Sequence, residues 1–104
     1  MSAPIRGQVY SIDFGDGPEP WVVVSNNVRN RQLREVLGAP IADSTEVDLA
    51  TVVALHPTDP VAGVVLADEI ERLHRHKLIT LLGVLSPGTI MKLNRALKIA
   101  LAIP

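Results

Sequence analysis

Residues 5–27 hold two strand patterns joined by a tight loop, and this segment constrains the fold more than any other. Residues 5–14 alternate between apolar and polar side chains, which is typical of a half-buried strand whose apolar face carries Tyr10, Ile12 and Phe14. Residues 15–20 are acidic and rich in Gly and Pro, as in a turn. Residues 21–24 are continuously apolar, so we expect a second strand buried on both faces.

The rest of the chain predicts further short strands. A polar, basic loop is expected at residues 28–34, and Gly38 and Pro40 indicate a bulge or a sheet edge in the strand that follows it. Residues 67–73 are expected either to extend the strand before them or to bend into another one. The remaining elements are strands at residues 35–41, 50–55, 61–66 and 81–85, a rigid connection at 56–60 and one helical turn within 74–80.

A helix is predicted near the end of the chain. Ser86 can cap it and Pro87 suits its first position. Apolar residues then recur at helical spacing, at Ile90, Met91, Leu93, Leu97, Ala100 and Leu101. Five to seven short strands and one late helix predict a mainly β (α+β) fold, a small SH3-like barrel with a helical appendage.

Composition limits the class of protein. A chain of 104 residues, 47% apolar and 20% charged, is expected to form one domain over residues 1–104. It has no cysteine, and we find neither a signal peptide nor a long apolar run, so a cytoplasmic protein without a membrane span is expected. The net charge of −1 means that any RNA-binding surface must concentrate its positive charge locally.

Three motifs, in order, resemble the MazF/PemK (Kid-like) family of toxin endoribonucleases. The first is the Arg-Gly-x-Val-Tyr start at residues 6–10, followed by the Val-Val-Val-Ser-Asn strand at residues 22–26. The second is Gly-Val-Val-Leu-Ala-Asp-Glu-Ile at residues 63–70, and the third is Leu-Gly-Val-Leu-Ser at residues 82–86 before the helix. The resemblance spans nearly the whole chain and implies the barrel of the MazF/CcdB/Kid type.

The resemblance implies sequence-specific, metal-independent cleavage of single-stranded RNA, by attack of a 2′-hydroxyl on the neighbouring phosphate. In the family, an arginine just before the second strand and a threonine or serine after the third carry this chemistry. The alignment places Glu19 at the arginine position and Ala42 at the threonine position. A small shift of the alignment brings Ser44 or Thr45 to the latter position, but no shift restores the arginine.

Three interpretations of this departure stay open. Glu19 acts as the general base while Arg29, Arg31 or Arg6 supplies positive charge. Alternatively, the chain is a weak or inactive relative that keeps the fold and the dimer, or the partner chain of a dimer contributes the basic residue. Glu19 could also be a solvated turn residue between two prolines. The candidate catalytic residues are therefore Glu19, Ser44, Thr45 and Arg31.

The segment after the second strand predicts an RNA surface. Arginine and asparagine suit phosphate and base-edge contacts, and an aromatic ring can stack on a base. The candidate RNA-binding residues are Trp21, Asn26, Asn27, Arg29, Arg31 and Arg34. The alternative is a solvated loop whose arginines pair with glutamates, a core tryptophan, and asparagines that serve the turn.

The histidines do not predict a metal site. His74 and His76 would share one face of a strand, but Arg72, Arg75 and Lys77 around them would repel a cation, so an exposed basic patch is the better interpretation. No metal and no other cofactor is expected.

The leading hypothesis is a homodimeric toxin of a type II toxin–antitoxin system, which cuts single-stranded RNA and is neutralised by a small acidic antitoxin. The rival hypothesis is a noncatalytic relative, or a CcdB-like toxin that acts on a protein such as gyrase. The Glu19 and Ala42 departures favour the rival, whereas the Arg/Asn-rich segment favours the nuclease.

Overall fold

The computed structural model describes residues 2–104, and seven strands in this range form one sheet system. The strands are β1 (Gln8–Asp13), β2 (Pro18–Val23), β3 (Glu35–Ala42), β4 (Val52–Ala54), β5 (Val64–Leu66), β6 (Glu71–His74) and β7 (Thr80–Val84). Two α-helices, α1 (Asn27–Gln32) and α2 (Pro87–Ala100), and a 3-10 turn at Arg75–Lys77 complete the fold. The predicted mainly β architecture with a C-terminal helix is confirmed.

All strand pairings are antiparallel, in the order β4-β5-β3-β2-β1-β7, and β6 also pairs with β3. The predicted hairpin is β1–β2, with Tyr10 opposite Trp21 and Ile12 opposite Glu19. Trp21 and the valines after it are buried, as their apolar run indicated. Phe14, in contrast, lies beyond the end of β1 and is exposed, because the strand stops at Asp13.

Gly38 and Pro40 predicted a bulge or a sheet edge, and the second alternative is wrong because β3 is a central strand. On one side it pairs with β2; on the other it pairs first with β6, up to Gly38, and then with β5, from Ile41. Pro40 lies where this second partner changes. Its missing N–H therefore interrupts no ladder on that side.

The segment predicted as a basic loop is largely helical. Asn26 caps α1, since its side chain accepts a hydrogen bond from the Arg29 N–H at 2.8 Å. The polar composition that suggested a loop is instead the composition of a short, mostly exposed helix. Only Asn30 in it is fully buried.

The core divides into two clusters. The larger contains the inner faces of β2, β3, β5 and α2, and the smaller contains Ile12, Trp21, Val23, Val36, Leu73 and Leu78. Ser86 caps α2 and Pro87 begins it, as predicted. Leu93, Ala96 and Leu97 face the core, whereas Met91, expected on the same stripe, is exposed.

The bend between β5 and β6 is one of the two alternatives that the sequence left open. β5 ends at Leu66, Ala67 is fully buried, and the chain then turns into β6. Gly63 precedes β5 at a φ of 127°, and a Cβ there would meet the Ala42 carbonyl oxygen. Only glycine fits this close approach of the β5 turn to the end of β3.

Candidate functional site

Glu19 lies on β2 at the rim of an acidic groove. The groove has a volume of about 430 Å³ and is lined by Glu19, Trp21, Pro40, Glu69, Ile70 and Glu71. Continuing the β2–β3 register places Glu19 opposite Ala42. The two departures from the family pattern therefore fall side by side at one end of the sheet. Three carboxylates beside one another make this groove repel phosphate unless another group supplies positive charge.

Ser44 and Thr45 follow the end of β3 but line a different cavity. That cavity, about 510 Å³, is bounded by the turn at residues 56–63. The Ser44 N–H donates to the Ala42 carbonyl at 3.0 Å and the Ser44 hydroxyl accepts from the Glu46 N–H at 3.1 Å, so this serine closes the turn after β3. Both residues lie at the same end of β3 as Glu19, but they do not share its groove.

Arg31 lies at the other end of the site. It is exposed on α1, just before β3 begins at Glu35, whereas Glu19 lies opposite the end of β3 at Ala42. Seven residue steps along a strand span about 23 Å. One chain therefore does not bring Arg31 to Glu19, Ser44 and Thr45.

Several predicted RNA-binding side chains make internal hydrogen bonds. The Arg29 Nη1 donates to the Glu35 carbonyl at 2.9 Å, and Asn26 caps α1. The Asn27 Oδ1 accepts from the Arg6 N–H at 2.7 Å. Arg6, the alternative source of charge, donates to the Val24 carbonyl at 2.9 Å and to the Asn94 Oδ1 at 2.7 Å. These contacts hold the N-terminal segment, α1 and α2 together.

The start of α1 is fastened by a buried pair. The Ser25 hydroxyl donates to the Asn30 Oδ1, and the Asn30 Nδ2 donates to the Ser25 carbonyl at 3.0 Å. The Ser25 Oγ also accepts from the Leu37 N–H at 3.0 Å. With Asn30 fully buried, the Ser-Asn end of the second strand serves to dock α1 on β3.

Trp21 is only 6% exposed and belongs to the smaller core cluster. Its ring meets that of Phe14 edge to face, with centroids 5.7 Å apart. Within residues 2–104 its indole N–H has no hydrogen-bond partner. The structure thus places Trp21 as a wall of the acidic groove, whereas Phe14, 52% exposed, is the accessible aromatic ring beside it.

Asp59 joins the turn after β4 to the start of α2, a role that the sequence did not reveal. Its carboxylate accepts from the His56 N–H at 2.7 Å, the Ser86 N–H at 2.7 Å and the Thr89 hydroxyl at 2.6 Å. Burial alone would raise the pKa of Asp59, but the hydrogen bonds from Ser86, Thr89 and His56 outweigh it and lower that pKa below the ordinary aspartate value. The His-Pro-Thr-Asp-Pro segment predicted a rigid turn at Asp59. It did not predict the partners of Asp59 at the start of α2, which are about thirty residues away in sequence.

Arg34 is the predicted arginine that lies in a cavity. It lines a space of about 530 Å³ together with His74, Arg75 and His76. From the sequence, Arg34 and the histidines were interpreted as two separate surface patches. Only the pairing of β3 with β6 brings them together, and no local sequence pattern predicts that pairing. Among residues 2–104, no three His, Cys, Asp or Glu side chains are arranged to hold a metal ion.

Comparison with known proteins assigns the family. The PemK-like, MazF-like toxins of type II toxin-antitoxin systems match residues 5–101, so the chain belongs to this family. The chain is 45% identical to endoribonuclease MazF4 of Mycobacterium tuberculosis H37Rv and to endoribonuclease MazF1 of Mycobacterium bovis, over all of this chain and 98% of each relative. The predicted family is confirmed.

Solved structures agree. A mycobacterial endoribonuclease in complex with its cognate antitoxin superposes with a TM-score of 0.92 and 44% identity, over 98% of both chains. A MazE-MazF complex from Deinococcus radiodurans has a TM-score of 0.85 at 23% identity, over the full length of both chains, and shows that the fold is shared. No helix within residues 2–104 has the length and apolar character needed to cross a membrane.

Proposed function

We propose that this protein is the toxin of a type II toxin–antitoxin system and an endoribonuclease that cleaves single-stranded RNA. The observation that carries the proposal is the 45% identity, over all of this chain and 98% of each relative, to proteins named endoribonuclease MazF. The similarity to an endoribonuclease solved with its cognate antitoxin supports a protein antitoxin as partner. We further propose that the chain acts as a single domain over residues 1–104, in the cytoplasm.

The proposed reaction needs no metal. A base takes the proton of a ribose 2′-hydroxyl, the 2′-oxygen forms a bond to the adjacent phosphorus, and the bond from phosphorus to the 5′-oxygen breaks. The leaving 5′-oxygen takes up a proton. The products carry a 2′,3′-cyclic phosphate and a 5′-hydroxyl, and positive charge must stabilise the phosphorane between them.

We propose that Glu19 is the base and that Ser44 and Thr45, which line the neighbouring cavity at the same end of β3, donate hydroxyl contacts to the RNA next to the bond that is cut. Glu19 is exposed on a rigid strand, which suits a group that must reach substrate. The positive charge then comes from Arg31 of a second copy, since Arg31 of the same copy lies about 23 Å away along β3. Of the three interpretations of the sequence, this combines the first with the third.

This arrangement requires a homodimer, and the exposed apolar side chains on β7 favour one. β7 is the outer strand of the sheet, and Leu81, Leu82 and Val84 on it are 49%, 40% and 54% exposed. Ile79, just before the strand, is 83% exposed. An apolar edge strand left in water is a site of aggregation, so we propose that a second copy covers it about a two-fold axis.

Mixing two inactive variants tests the shared site. E19Q and R31Q are each expected to lower cleavage at least tenfold. When the two variants are co-refolded at equal amounts, half of the dimers are mixed, and each mixed dimer keeps one intact site. Activity should therefore return to about one quarter of the wild-type value. No recovery would mean that both residues act within one protomer. Single variants that keep the wild-type activity would mean that neither residue acts in catalysis.

Digestion of RNA tests the function itself. Purified protein incubated with a long mixed-sequence RNA in EDTA should give discrete fragments with 2′,3′-cyclic phosphate ends. E19Q is the matched control for a contaminating nuclease, since a contaminant would cut in both preparations. Intact RNA together with inhibition of gyrase would replace the proposal with the CcdB-like rival, which the acidic groove at Glu19 favours.

A further inference from the structure

A cluster of basic side chains lies at the start of β3. Arg34 directly precedes β3, His74 ends β6, and Arg75 and His76 lie in the 3-10 turn that follows β6. The β3–β6 register places Glu35 opposite His74, and the Arg75 N–H donates to the Arg34 carbonyl at 2.8 Å. This backbone contact holds the two arginines next to each other. We call Arg34, His74, Arg75 and His76, which line the cavity of about 530 Å³, the cationic cluster.

The cluster is available to a ligand. Arg34, His74 and His76 are exposed and Arg75 is half-buried. Within residues 2–104 the only carboxylate at salt-bridge distance from any of them is that of Glu35, whose Oε2 is 3.7 Å from the His74 Nε2. Arg29, by contrast, is half-buried and donates one hydrogen bond to the Glu35 carbonyl. Arg34 and Arg75 thus lie together at one end of β3, whereas the carboxylates of the groove at Glu19 lie at the other end.

The side chains that line this cavity favour a polyanionic ligand with planar rings that can stack on them. The rings of His74 and His76 lie 5.2 Å apart, at 45° to each other, and the planar guanidinium groups of Arg34 and Arg75 complete the lining. Such groups bind phosphate and stack on unpaired bases.

We propose that the cationic cluster binds the phosphate backbone of single-stranded RNA on nucleotides that flank the bond that is cut. This inference rests on the proposed function and adds an RNA contact to it. The cluster lies about 23 Å along β3 from the Glu19 end of the same copy and contains neither Glu19 nor Arg31, the two residues proposed for bond breaking. We therefore expect it to position a long substrate. Its loss should therefore raise KM for a long RNA and leave kcat unchanged.

Binding of an uncleavable RNA as a function of salt tests the inference. The probe is a mixed-sequence RNA with 2′-O-methyl groups throughout, which cannot provide the attacking hydroxyl. The variant is the double substitution R34Q with R75Q. The matched control is K92Q with K98Q on α2, which removes the same charge from exposed positions outside the cluster.

Each phosphate contact contributes about 0.7 to the slope of log K against log salt for single strands, so R34Q/R75Q should lower that slope by about 1.4. The control should keep the wild-type slope. The inference is overturned if both double variants change the slope equally, because net charge alone then explains binding. It is also overturned if R34Q/R75Q binds RNA as tightly as the wild type does. The same holds if the variant keeps its RNA affinity but binds the antitoxin more weakly, because the cluster would then be an antitoxin contact.

The experiments distinguish a failure of the cationic-cluster inference from a failure of the proposed endoribonuclease function. Wild-type protein that cuts RNA while R34Q/R75Q keeps the wild-type KM and salt slope refutes the cationic cluster and leaves the endoribonuclease standing. Wild-type protein that cuts no RNA refutes the proposed function, and the 2′-O-methyl probe still decides whether the cluster binds RNA. Equal melting temperatures of the variant and the wild type show that a lost contact is not a lost fold.

Discussion

Replacing Asp59 by alanine should destabilise the fold more than any other change to a carboxylate on the β4–β5 side. Asp59 is only 8% exposed, and it accepts three hydrogen bonds that fasten the turn at residues 56–60 to the start of α2. D59A would leave the N–H groups of His56 and Ser86 and the hydroxyl of Thr89 without this acceptor. The turn would then no longer be tied to the helix that covers the larger core cluster.

The magnitude follows from the number of contacts. A hydrogen bond to a charged group contributes about 1.5–3 kcal/mol, but bonds to one carboxylate are not additive and water can reach part of the turn. We therefore expect a loss of about 3 kcal/mol in the free energy of unfolding. For a domain of this size, that corresponds to a drop in Tm of about 12 °C.

Urea and thermal unfolding, followed by circular dichroism at one fixed protein concentration, measure the effect. D16A is the matched control, because Asp16 is exposed in the β1–β2 loop and its loss should change the free energy of unfolding by less than about 0.5 kcal/mol. A D59A protein within about 1 kcal/mol of the wild type would refute the structural role assigned to this carboxylate.

The pH dependence provides a second readout of the same residue. The pKa of Asp59 is lowered in the folded state, so its charged form stabilises the fold at pH values above the unfolded-state pKa of about 4. That contribution is lost as the pH falls from about 4 through the folded-state pKa. D59N should therefore show a weaker loss of stability than the wild type between neutral pH and pH values below 4.

Two further changes test the packing of the fold and the dimer. N30A should lower the free energy of unfolding by about 2–3 kcal/mol, because the buried Ser25 hydroxyl loses its acceptor and the Ser25 carbonyl loses its donor. Q32A on the exposed side of α1 should have little effect in the same urea titration. L81K should weaken the dimer at least tenfold in light-scattering measurements, because a charge would be buried in the proposed interface, and V28K on α1 is the control. A monomeric wild-type protein would contradict the proposed interface.

Local patterns determined most of the elements. The alternation in residues 5–14, the valine run after Trp21 and the Ser86-Pro87 helix start each predicted an element that the structure contains. These patterns are reliable because they depend on neighbouring residues, through side-chain direction and capping. The basic segment at residues 28–34 was misread as a loop because α1 is short and mostly exposed, so it shows no apolar stripe.

The family, too, was readable in the sequence, since the order of its motifs survives in the chain. The spatial arrangement of the positions that depart from the family pattern could not be predicted from the sequence. Glu19 and Ala42 are 23 residues apart in sequence and meet only through the β2–β3 register. The other carboxylates of the acidic groove belong to Glu69, in the connection between β5 and β6, and to Glu71, the first residue of β6.

Only the tertiary structure shows which of the candidate RNA-binding side chains already form hydrogen bonds within the protein. Arg29, Asn26 and Asn27 looked like RNA contacts in the sequence, but they form hydrogen bonds that hold α1 in place. Arg34 instead meets Arg75 across the β3–β6 pair. The physical reason is that a side chain's chemistry is fixed by its type, whereas its availability depends on long-range pairing, which brings in partners that no local pattern encodes.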